Sequence, residues 1–207
     1  MKKIMFNDRY GLTQAVIEGR KTMTRRIVYI NTMLRHVLKE ILNEPCGTKQ
    51  EEYLKSARYK VGEIVAVAQR YEDVEELSYL LRDPFSETYF EEVNIGDEPG
   101  YRNKMFVKSE LMPHQIRITG IKCERLQDIS DADCLKEGIF VNEYFSNGKK
   151  CHHYGFDGFF NGTEGWFARG WFDTPREAFA ALIDKVSGRG TWASNPWVMA
   201  YEFELAK

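Results

Sequence analysis

A fully signalled helix followed at once by an alternating strand limits the folds open to this sequence more than any other feature. In TPREAFAALIDKVSG, Thr174 is placed to cap the helix and Pro175 takes the first helical position, where its missing N–H costs nothing. Glu177 completes a capping box, and Phe179, Leu182, Ile183 and Val186 fall on one face at helical spacing. NPWVMAYEFEL then alternates, with Trp197, Met199, Tyr201 and Phe203 on one side of a strand. Trp192 and Trp197 flank the turn ASNP and are expected in the core.

Upstream, the same two periods recur without a regular strand–helix–strand rhythm. YKVGEIVAVAQRY reads as a strand alternating through Val61, Ile64 and Val67. KMFVKS reads as a strand, and so does QIRITGIKCERL, with Ile116, Ile118 and Ile121 inward. NDRYGLTQAVIEG is a short helix capped by Asn7 or Asp8 and stopped by Gly19. Residues 33–43 repeat apolar positions at helical spacing. DISDADCLKEG is another short helix, with Ser130 as cap, Asp133 at its third position and Gly138 as terminator. Strands with helices set between them predict an α+β domain, a curved sheet or barrel with helices at its periphery. One domain over 1–207 is expected, with inserts near 31–57, 72–104 and 140–172. The last of these, rich in glycine and aromatics, is either a pocket lid or a mobile insert.

Composition narrows the function classes. At 207 residues, 43% hydrophobic and 14% aromatic, the chain can build a sizeable core. Its 29 basic and 31 acidic residues leave a net charge of −2, so any phosphate contact must be a local patch. No apolar run approaches the roughly 20 residues of a membrane span, and the N-terminal apolar stretch is too short for a signal peptide. A cytoplasmic setting and no membrane partner are expected. Cys46, Cys123, Cys134 and Cys151 show no close pair, so they read as free thiols and no metal or other cofactor is expected.

Against that background GRKTMTRRI, Gly19 to Ile27, stands out: four cations and two threonines in nine residues. GRKTMTRR resembles the G-x-K-x-x-[E/T]-x-R signature of ASCH domains, whose fold is related to the PUA RNA-binding barrel. YKVGEIVAV, LMPHQIRITGIKCERLQDISDADCLKEGI and NPWVMAYEF are similar to the phage and prophage branch of that family, in the same order, over a little under half of the chain. The resemblance implies a PUA-like barrel and an RNA, nucleotide or modified-nucleoside partner. Some compact members are amidohydrolases that remove the acetyl group of N(4)-acetylcytidine with a lysine and a threonine of the motif and a downstream glutamate. Lys21, Thr24 and Glu137 stand at the matching positions. These members lack the three inserts.

On this reading Thr24 is the nucleophile, Lys21 its base and Glu137 the acid and base for the leaving amine. Arg20, Arg25 and Arg26 serve phosphate or nucleotide binding, with Arg26 holding a phosphate or orienting the carbonyl. A lysine acts as base only when neutral, and Arg20, Arg25 and Arg26 crowd Lys21 with like charge that lowers its pKa. Glu137 is expected at a helix carboxyl end, where the dipole disfavours a carboxylate. Two alternatives use the same residues: a cleft that binds RNA without turnover, and a ribonuclease needing only cations and a base. In a purely structural reading Lys21, Arg25 and Arg26 are solvated charges and Thr24 an ordinary strand residue. Tyr154, Phe156, Phe159, Phe160, Trp166 and Trp171 either stack bases or pin their loop to the core.

Overall fold

A computed structural model of the chain describes residues 1–28, 54, 57–74, 99–158 and 171–206. Five strands form one sheet in the order β1 (Lys2–Ile4), β3 (Ile64–Val67), β4 (Gln115–Arg125), β7 (Trp197–Ala206) and β2 (Met23–Ile27). β1 runs parallel to β3, and the other pairings are antiparallel. Among the described residues β1 and β2 stand at the edges of an open sheet, and the fold is α+β. A separate hairpin joins β5 (Phe140–Ser146) to β6 (Lys149–Gly155). The described helices are α1 (Leu12–Ile17), α2 (Asp131–Lys136), α3 (Pro175–Ser187) and α4 (Thr191–Ser194). None is long and apolar enough to cross a membrane.

β7 is the spine. Met199, Tyr201 and Phe203 are buried on one face, and Val198 and Ala200 are sealed on the other. α3 has the expected capping box between Thr174 and Glu177, and it buries Phe179, Leu182 and Ile183. Val186, at the frayed end of that face, stays partly exposed. Trp192 and Trp197 are half-buried and pack against the core.

Four expectations need correction. The first helix is two pieces, because Gly11 takes a left-handed conformation that ends a 3-10 turn at Asp8–Tyr10 before α1 begins. β3 does not alternate: Val61 is exposed, whereas Val65, Ala66 and Val67 are all fully buried, as in an interior strand covered on both faces. KMFVKS is a turn leading to a 3-10 helix at Ser109–Leu111. Its backbone groups are met by side chains in place of a ladder: Lys3 donates to the carbonyls of Met105 and Val107, and the Tyr71 hydroxyl accepts from the Lys108 N–H.

The fourth correction concerns 140–172, which contains the β5–β6 hairpin where a loop was expected. Asn147 and Gly148 turn it with positive φ at both positions, the conformation that favours Asn-Gly in tight hairpins. Phe156 is core and Tyr154 and Phe172 pack on it. Phe159, Phe160, Trp166, Cys46 and the helix expected over 33–43 lie outside the described residues.

Candidate active site

The motif is delivered by a sharp exit from α1. Gly19 has φ 73°, and the Lys21 N–H returns to the Ala15 carbonyl at 2.9 Å. The Thr22 N–H donates to the Lys136 carbonyl at 2.9 Å, which pins this loop to the carboxyl end of α2. Glu137 is the residue that ends α2, as expected, and Gly138 with φ 101° turns the chain away. α2 itself is set by Ser130, whose side chain accepts from the Asp133 N–H.

Lys21 and Glu137 therefore meet. The lysine ammonium donates to the Glu137 carboxylate at 2.6 Å and to its carbonyl at 2.7 Å. Both residues are nearly sealed, at 2% and 4% exposure. Burial lowers the Lys21 pKa from its ordinary value, and the Glu137 charge opposes that shift. Arg26 and Arg25 push it further down by like charge, whereas Arg20 is not among the causes. An amine and a carboxylate one short hydrogen bond apart, away from water, can exchange a proton at little cost.

Thr24 and Arg26 project from one face of β2, opposite Tyr201 and Met199 of β7. All four line a cavity of about 580 Å³, together with Lys21 and Glu137. The Thr24 hydroxyl is buried and has no hydrogen-bond partner among the described residues. Arg26 lies over the Phe6 ring and donates to the Met5 carbonyl. Its exposed surface is cavity wall, and burial of its stem lowers its pKa.

The other two arginines are placed differently. Arg25 sits on the opposite face of β2, its side chain fully buried. It pairs with Glu124 at 2.6 Å, Glu137 at 3.0 Å and Asp133 at 3.1 Å. That guanidinium is committed to carboxylates, so its effect on a ligand passes through Glu137. Arg20 is on the surface between Glu18 and Asp157, outside the cavity lining. The motif thus splits three ways: Lys21, Thr24 and Arg26 to the cavity, Arg25 to the support of Glu137, and Arg20 to solvent.

The sequence reading missed Arg58, Tyr59 and Phe6 in the cavity wall. Arg58 and Tyr59 follow directly on the insert expected near 31–57, and nothing in their spacing marks them. Among the described residues no group of three or more His, Cys, Asp or Glu is arranged to hold a metal. Cys123 and Cys134 are buried and form no disulfide among the described residues, and burial pushes their thiols up to about 11 and about 12.

No family model and no curated protein matches the chain. A solved structure described as protein EF3133 from Enterococcus faecalis V583, of the family model DUF984, is similar over 100% of this chain and 80% of its own. The identity is 13% and the TM-score 0.38, a likeness too weak to carry an argument.

Proposed function

We propose that the protein is an amidohydrolase acting on an acylated nucleobase of the N(4)-acetylcytidine kind, built on a PUA-like sheet of the ASCH type. The observation that carries this reading is the sealed Lys21–Glu137 pair at 2.6 Å in the wall of a cavity that Thr24 also lines. Burial favours the neutral amine form of Lys21, whereas the charge of Glu137 beside it favours the ammonium. Both states lie within reach of one proton transfer.

In the neutral form Lys21 takes the Thr24 proton as the hydroxyl oxygen attacks the acyl carbon. The C–N bond then breaks, and the Glu137 carboxylic acid gives its proton to the departing nitrogen. This leaves acyl-Thr24, a Lys21 ammonium and a Glu137 carboxylate. Glu137 next takes a proton from the attacking water, and Lys21 returns one to the Thr24 oxygen as it leaves. The acid product departs and the neutral pair is restored. Arg26 orients the acyl oxygen or a ligand phosphate.

A panel of acylated and unmodified nucleosides, incubated with the protein and read by mass spectrometry, tests the reaction class. Loss of the acyl group from N(4)-acetylcytidine is the expected result. Binding of the panel with no product assigns the cavity to recognition without turnover.

A further inference from the structure

The cavity is cationic in a nearly neutral chain. Among the described residues its wall holds the charged side chains of Lys21, Arg26 and Arg58 and one carboxylate, Glu137. The whole chain carries −2. Glu137 neutralises Lys21. Arg26 and Arg58 have no carboxylate partner among the described residues. What holds them is neutral: the Met5 carbonyl and the Phe6 ring for Arg26, and the Tyr59 ring for Arg58. Such contacts fix a cation without cancelling its charge.

The two also share one wall, where the like charge of Arg58 bears on Arg26. The Tyr59 hydroxyl donates to the Lys3 carbonyl at 3.0 Å, and the Arg58 guanidinium lies 5.6 Å from the Tyr59 ring centre. The Tyr59 and Tyr201 rings meet edge to face at 5.3 Å. Tyr201 stands opposite Thr24 on the neighbouring strand. Uncancelled cations and aromatic faces thus share the cavity that holds Thr24.

We propose that Arg26 and Arg58 form an anion subsite for a phosphate monoester, so that the cavity selects a nucleotide over the free nucleoside. A monoester carries close to two negative charges at neutral pH, which two neighbouring uncancelled cations match better than the single charge of a phosphodiester. A cavity of about 580 Å³ has the size of a small-ligand site. The proposal rests on the nucleobase reading above for the base, and on the uncompensated charge alone for the phosphate.

Calorimetric titration of wild type with cytidine, its 5′- and 3′-monophosphates and inorganic phosphate, at low and high salt, tests it without reference to turnover. One monophosphate should bind at least about tenfold tighter than cytidine, and the advantage should shrink with salt. Arg58→Ala should bring the two close to parity; Arg58 is exposed, so its replacement leaves the core intact. Equal binding of cytidine and both monophosphates by wild type, a preference that survives in Arg58→Ala, or no binding of any phosphate compound overturns the subsite. Binding of inorganic phosphate as tightly as of the monophosphates keeps the subsite and removes the nucleobase reading.

Discussion

Lys21 is held between two opposing demands: burial disfavours its charge, and Glu137 at 2.6 Å favours it. Burial is the larger, so the folded-state pKa lies below the unfolded value of about 10.4. The folded chain then binds fewer protons than the unfolded chain between those two values, and stability rises with pH across that window. Relative to Lys21→Met, wild type should gain stability as pH climbs toward about 10 and lose that gain as pH falls through the folded-state pKa. Urea unfolding of both proteins at a series of pH values measures it, and parallel curves would place Lys21 with ordinary surface lysines. Tyr59 and Tyr201, whose phenols burial pushes up, stay protonated through most of this range. Arg25 poses the opposite case, a buried cation among three carboxylates. Arg25→Gln should cost about 3–5 kcal/mol, because it strands Glu124, Asp133 and Glu137 without their counter-charge. Arg20→Ala, at the surface, should leave the unfolding midpoint nearly unchanged. Nothing in the run GRKTMTRR distinguishes these arginines; β2 parity and the approach of α2 to its edge do.

α2 decides where Glu137 goes, and α2 is short enough that its two ends do most of the work. Ser130 sets its start, and Gly138 at φ 101° sets its exit within 3.3 Å of Leu12 for any added Cβ. Gly138→Ala should cost on the order of 1–3 kcal/mol and shift Glu137 off Lys21. Urea unfolding reads the first effect and lost turnover with retained fold the second; a neutral result would mean that the turn relaxes without moving the carboxylate. Elements of this kind, with caps and terminators in the chain itself, were readable in advance, and so were α3 and the inward face of β7. β4 was half readable. Ile118 and Ile121 are three apart, which breaks strict alternation, and the structure has a register shift between Ile118 and Gly120. The hairpin carried its Asn-Gly signal but little apolar alternation, because most of its residues are exposed or half-buried. KMFVKS looked like a strand because its satisfaction by Lys3 and Tyr71 is long-range.

At the scale of the molecule, a nearly neutral chain concentrates charge at one cavity and splits it between a sealed ion pair and an open cationic wall. The motif pointed to Lys21, Thr24 and Glu137. The wall was not readable, because Arg58, Tyr59 and Tyr201 converge only through the packing of β7 and the segment before β3. The proposed reaction turns on the Thr24 hydroxyl oxygen as the atom that forms the new bond. Formation of cytidine from N(4)-acetylcytidine, followed by mass spectrometry for wild type beside Thr24→Ala at matched ligand occupancy, tests this most directly. The account predicts that wild type releases cytidine, whereas Thr24→Ala binds the nucleoside within a few-fold of wild type and releases none above the uncatalysed rate. Thr24→Ala turning over at the wild-type rate, or wild type that binds without any release, would contradict it.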